Sequence, residues 1–198
     1  MTRQFILASG SRARKDMLYN AGFDFDAIPA DIDETALINV MDGEPPEKIA
    51  LTLAAEKALA VAGDYPDTPV IGADQILVLD GRIIQKAPDK DAAIDKLRNL
   101  SGKTHELISA VSIAQGGKIV WQHADSARLT MRALSDNEIK SYADRAGEAL
   151  TKSVGAYELE GIGAGLFEKI DGDYFTILGL PLLPLIQYLG TKYKIRSF

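Results

Sequence analysis

The sequence predicts an α/β fold, or a mixed α+β one, built on a mixed sheet. Three observations carry that prediction. A short apolar run at residues 4–8 passes directly into a capped helix. Residues 46–62 follow a helical pattern, and residues 104–133 alternate as a long hairpin. Strands and helices therefore follow one another along the chain, which is the order of a layered α/β architecture rather than a bundle or a sandwich.

Each element has a local reason. Residues 4–8 read as a short buried strand. Ser11 is placed to cap a helix over about 12–21 that buries Met17 and Leu18, with Gly22 at its end. In "PEKIALTLAAEKALAVA", residues 46–62, Ile49, Leu53 and Ala60 form one stripe and Gly63 lies beyond. "PVIGADQILVLDGR" reads as a strand pair turning at Asp80-Gly81. A helix over 89–100 closes at Gly102. The hairpin over 104–133 turns at "QGG", residues 115–117. Ser135 and Glu138 form a capping box for a helix to about 145. "GLFEKIDGDYFTIL" reads as two short strands, and 181–189 as a final helix with Pro181 in its first turn and Leu182, Leu183 and Ile186 in the core. One domain over residues 1–198 is expected.

Composition excludes several classes. A formal net charge of −6 is wrong for a sequence-independent nucleic-acid binder. With no cysteine, disulfides and thiolate chemistry are ruled out, and His105 and His123 are too few for a zinc site of His and Cys ligands. A hard-cation site of carboxylates stays open. No apolar run reaches the roughly 18–20 residues of a membrane span, and "FILAS" is too short for a signal peptide, so a soluble cytoplasmic protein is expected.

Two motifs mislead. "SGKT", residues 101–104, resembles the end of a phosphate-binding loop, but Leu97 stands where that loop needs glycine and a helix precedes it. In "GIGAG", residues 161–165, the third glycine of a dinucleotide fingerprint would fall on Leu166; a tight turn with close backbone approach accounts for it.

"ILASGSRARKDML", residues 6–18, is more informative. A strand, small residues and a helix start present unpaired N–H groups to an anion, and the hydroxyls of Ser9 and Ser11 can donate as well. Arg12, Arg14 and Lys15 crowd the first turn, where the helix dipole disfavours cations; a bound anion would neutralise them. In "IGADQ", Asp74 interrupts an apolar strand pattern and should face a cleft, a cation or a metal. Lys86 follows the apolar pair before "QK", and Asp31, Asp33 and Glu34 stand just before an expected loop. Carboxylates, a lysine and an anion cradle together suit metal-assisted phosphoryl chemistry.

These pieces occur in the same order in the Maf family of nucleotide pyrophosphatases, which the sequence strongly resembles over nearly its whole length. The resemblance rests on "LASGSRARKDML", "DIDE", "LAAEKA", "VIGADQILVLDG", "QKAPD", "LRNLSGKTHELISAV", "VGAYELEGIGA" and "IDGDYFTILGLPL". It implies an elongated mixed sheet flanked by helices, in two lobes around a nucleotide-binding cleft. It also implies metal-dependent hydrolysis of nucleoside triphosphates to monophosphate and pyrophosphate, with a house-cleaning role and 7-methyl-GTP among the substrates. A nucleotide-binding regulator of septum formation without turnover is the alternative.

By the same resemblance, Ser9, Ser11, Arg14, Lys15 and Lys57 match phosphate-binding positions. Asp74 matches the proton acceptor, with Lys86 and Glu34 beside it in the catalytic set, and Glu34 and Asp74 would hold Mg²⁺ or Mn²⁺. Ala13, Gln75 and Glu160 occupy the positions that bear on base choice. Gln75, Glu160 and Lys15 match the branch of 7-methyl-GTP pyrophosphatases rather than the branch for thymidine and uridine triphosphates, whereas Ala13 replaces that branch's Trp. Arg12 and Ala87 also depart from the family pattern, each standing where proline is usual. The expected partners are a small-molecule nucleotide and a second copy in a homodimer.

Overall fold

Strand β1 (Phe5–Leu7) puts Phe5 and Leu7 on one face and Ile6 on the other, and all three are buried. In the computed structural model, which describes residues 4–196, β1 leads into α1 (Arg12–Asn20). There follow β2 (Phe25–Ala27), α2 (Glu34–Val40), α3 (Pro46–Ala62), β3 (Val70–Leu79), β4 (Arg82–Ile84) and α4 (Lys90–Leu100). The chain continues through β5 (Thr104–Gln115), β6 (Lys118–Met131), α5 (Asp136–Ala143) and α6 (Ala149–Lys152). After a 3₁₀ turn at Ile162–Leu166 come β7 (Phe167–Asp171), α7 (Tyr174–Ile177) and α8 (Leu182–Lys192).

The strands form one mixed seven-stranded sheet in the order β2-β1-β3-β5-β6-β7, with β4 added to β3. β1 is parallel to both β2 and β3, whereas β3–β4 and β6–β7 are antiparallel. The expected hairpin turns form: Asp80 and Gly81 both take positive φ, as do Gly116 and Gly117. The capping box at Ser135 and Glu138 is present.

The chain divides into two compact units. The first comprises the chain through Gln75, Ser109–Asp125, and the chain from Tyr174 onward; the second is Ile76–Ile108 with Ser126–Asp173. In the first unit the sheet has a core on each face. Phe5, Leu7, Ile71, Ala73, Val111 and Ile113 pack with Leu18 of α1 and Leu185 of α8. Ile6, Ala8, Val70 and Ala114 pack with Ala58 and Val61 of α3. In the second unit α4 packs against α5 and α6, burying Ala93, Leu97, Leu100 and Ile139.

Some expectations fail locally. Residues 174–177 form the short helix α7 rather than a strand, and its buried residues, Thr176 and Ile177, are adjacent, which no period-2 pattern produces. "DIDET" opens α2 instead of a loop: Asp33 caps it, accepting from Ala36 N at 2.9 Å. β2 and α6 are not anticipated at all, being only three and four residues long. On α3 the buried stripe is Ile49, Ala50, Leu53, Ala54, Lys57, Ala58, Val61 and Ala62, and Ala60 is exposed. On α8 the stripe is Leu182, Leu185 and Leu189, leaving Leu183 exposed. Among the described residues no helix is long and apolar enough to cross a membrane.

Candidate active site

The first unit gathers most of the predicted residues. Alternation along β3 is the starting point. Val70 belongs to the core beneath α3, so Gly72 and Asp74, two and four residues on, point the same way. Gly72 lets the helix come close: a Cβ there would lie 2.1 Å from Ala54 O and 2.5 Å from Ala58 N. That approach brings Lys57 of α3 to Asp74. Lys57 Nζ is 2.6 Å from Asp74 Oδ1 and 2.8 Å from Glu34 Oε1, so one ammonium joins both carboxylates. Lys57 and Asp74 are buried, whereas the Glu34 side chain is 46% exposed. An ion pair this buried survives only because the charges meet directly, and Asp74 therefore faces a cation, as its place in an apolar strand requires.

The phosphate-loop candidate is built differently from its sequence expectation. Ser11 caps α1, accepting from Arg14 N at 3.5 Å, and Ser11 N donates to Ser9 Oγ at 3.2 Å. Arg14 turns inward and is buried. Its Nη1 donates to Ala73 O at 2.9 Å and to Ser9 Oγ at 3.3 Å, and its Nε donates to Gly179 O at 2.7 Å. The reason lies in the sheet. Ile71 O accepts from Ala8 N, and Ala73 O points the same way, past the end of β1 where no strand follows. Arg14 supplies the missing donor. Burial lowers its pKa, and the charges of Asp74 and Glu34 pull the other way. Arg12 is exposed and pairs with Asp16 at 3.4 Å. Lys15 and Ala13 are half-buried. At Gly10 a Cβ would meet Pro29 at an ordinary 3.7 Å, so bulk is not what glycine avoids there.

Gln75, next to Asp74, faces the opposite side of β3. Its Nε2 donates toward Ser109 Oγ, Thr176 O and Ile177 O at 3.0, 3.1 and 2.9 Å. Two carbonyls around one atom fix the amide with nitrogen toward them, since a flipped oxygen would face both. These partners come from β5 and α7 and were not foreseen. Gly179 likewise carried no signal beyond being a glycine before "LP", yet it takes φ +99 and accepts from Arg14. Lys86 and Glu160 lie in the second unit, both exposed, in the loops after β4 and α6.

Of the two misleading motifs, "GIGAG" is indeed a close approach: a Cβ on Gly163 would fall 2.4 Å from Glu158 O. "SGKT" is a turn at Gly102 that leads into β5.

Among the described residues no group of three or more His, Cys, Asp or Glu is arranged to hold a metal alone. Glu34 and Asp74 converge on the Lys57 ammonium, and this pair of carboxylates is what could hold a hard cation here.

A family model described as Maf-like protein matches residues 4–192. The chain is 52% identical over 190 residues to the nucleoside triphosphate pyrophosphatase of Bradyrhizobium diazoefficiens, covering 96% of this chain and 94% of that protein. It is 47% identical over 196 residues to the 7-methyl-GTP pyrophosphatase of Rhizobium etli, covering 96% and 98%. Among solved structures, the Staphylococcus aureus Ham1 protein matches with a TM-score of 0.42 at 18% identity, covering 67% of this chain and 72% of that one. With a family model spanning nearly all of its residues and relatives near half identical end to end, this chain belongs to the Maf family.

Proposed function

We propose that this protein is a nucleoside triphosphate pyrophosphatase, splitting a nucleoside triphosphate with water into the monophosphate and pyrophosphate. The observation that carries the reading is the buried Asp74–Lys57 pair with Glu34 on the same ammonium, a charged site set into an apolar sheet. The names of the relatives support the same reaction.

In this mechanism Asp74 is the proton acceptor. Lys57 engages Oδ1, so Oδ2 takes the proton of the attacking water. The water oxygen bonds to the α-phosphorus as the α–β anhydride bond breaks, and the pyrophosphate oxygen leaves with the bonding pair. Lys57, with a third N–H beyond its two carboxylate contacts, stabilises the charge that develops on the leaving group, and Lys86 is the further catalytic lysine that the family resemblance implies. Ser9, Ser11 and the start of α1 bind phosphate oxygens, with Lys15 beside them, and Arg14 holds the loop on β3 and adds its charge. Glu34 and Asp74 would hold Mg²⁺ or Mn²⁺, which would supply positive charge to offset that of the phosphates.

For the base, Gln75 and Glu160 favour the 7-methyl-GTP branch. Relatives carrying the general name and the 7-methyl-GTP name are similarly close, at 52% and 47% identity. A homodimer is the assembly the family resemblance suggests.

The test is pyrophosphate release from UTP, TTP, GTP and 7-methyl-GTP by wild type and Asp74→Asn. A fall in kcat of about 10²–10³-fold is expected. Equal activity in the two proteins would remove Asp74 from its role, and a wild type that binds these nucleotides without releasing pyrophosphate would favour the regulator.

A further inference from the structure

In the second unit, Lys96 on α4 does something that neither the sequence motifs nor the mechanism above uses. Its Nζ donates to Gln85 O at 2.5 Å and to Val154 O at 2.9 Å. Gln85 immediately precedes Lys86, in the stretch between β4 and α4 that belongs to no strand or helix. Val154 is in the turn after α6, where Ala156 takes φ +61 and Val154 itself is buried. Among the described residues no strand pairing joins these two irregular segments, and an ammonium with three donors on a long stem can join them.

We propose that Lys96 is a positioning residue for Lys86. Its ammonium, tied to the carbonyl of Gln85 and to that of Val154, fixes the backbone from which Lys86 extends. Like charge also matters. Burial, and after it the nearby charge of Lys86, push the Lys96 pKa down to about 8, so the two ammoniums repel where both are charged. Lys96 thereby sets where one catalytic charge stands without touching substrate. The inference rests on reading Lys86 as a catalytic lysine.

A double-mutant cycle separates the two ideas. Steady-state pyrophosphate release is measured for wild type, Lys86→Ala, Lys96→Met and the double variant, with whichever of UTP, TTP, GTP and 7-methyl-GTP is turned over fastest. Methionine keeps the aliphatic stem; if Lys96→Met does not unfold cooperatively, Lys96→Gln takes its place in the cycle. The expected result is a kcat lowered about 10-fold by Lys96→Met with KM little changed, and no further fall when Lys86 is already alanine. If Lys86→Ala is slowed but Lys96→Met keeps the wild-type kcat, the Lys96 proposal falls alone. It also falls alone if Lys96→Met raises only KM, or if the two effects multiply. If Lys86→Ala itself behaves as wild type, the reading of Lys86 falls and takes this proposal with it.

Discussion

Replacing Gly72 with alanine tests how the site is built, because this glycine is what lets α3 reach β3. The added Cβ would lie 2.1 Å from Ala54 O and 2.5 Å from Ala58 N, both backbone atoms of a helix that cannot yield by rotating a side chain. To restore an ordinary carbon–oxygen contact, α3 has to withdraw by about 1.3 Å. Lys57 rides on the same helix, and its 2.6 Å contact with Asp74 would stretch to about 3.9 Å, outside hydrogen-bonding range. Overpacking of this kind costs about 1–3 kcal/mol, and a strained Lys57–Asp74 pair adds to it. For a chain of this length the loss lowers Tm by roughly 2–4 °C per kcal/mol. Calorimetry or urea unfolding measures the first effect. Pyrophosphate release measures the second, expected to fall by at least about 10-fold because a shift near 1 Å misplaces the charges around Asp74, the proposed proton acceptor. A Gly72→Ala protein with wild-type Tm and wild-type kcat/KM would refute the close-approach argument, and with it the claim that Gly72 positions Lys57.

Two further predictions concern charge and pH. Lys57→Met leaves the Asp74 carboxylate buried without its ion partner, and a loss of about 3–5 kcal/mol in urea unfolding is expected. The double variant Lys57→Met/Asp74→Asn should then be more stable than Lys57→Met alone, and the reverse order would refute the pairing. His105 is buried, bonded through Nε2 to Tyr157 Oη at 2.6 Å, with Nδ1 lacking a partner among the described residues. Burial pushes its pKa down to about 4 from an ordinary 6.5. The folded state therefore binds fewer protons than the unfolded one between those values. This contribution, about 3 kcal/mol, is fully present above pH 6.5 and is lost as pH falls toward 4. Unfolding free energies at pH 7 and 4.5 should converge between wild type and His105→Phe by part of that amount, and parallel pH curves would overturn the assignment.

Much of the fold was legible because its signals are local. Ser11, Asp80-Gly81, Gly116-Gly117 and the Ser135–Glu138 box each act within four residues, and each turn or cap formed where expected. Residues 174–177 and Ala60 misled because pattern alone does not say which neighbour covers a face. The site divides in the same way. Asp74 was conspicuous as a charge inside an apolar strand, and burial bears that out. Arg14 was conspicuous only as part of a basic cluster, and nothing in its neighbours hinted that it would turn inward.

By itself the sequence determined most of the strands and helices, though not β2, α6 or the helical turn at 174–177, together with the family and the residue types available for phosphoryl chemistry. These follow from side-chain period, capping and motif, which are properties of neighbouring residues. Only the tertiary structure decided what each charge meets. Lys57 joins Asp74 to Glu34 because a glycine admits α3 to the sheet. Arg14 closes the open carbonyl of Ala73 because β1 ends two residues too soon to do so. Gln75 is held by α7 and β5, elements far from it in sequence. Such partners are set by strand order and by the distance between layers, and neither is written in any short stretch of the chain.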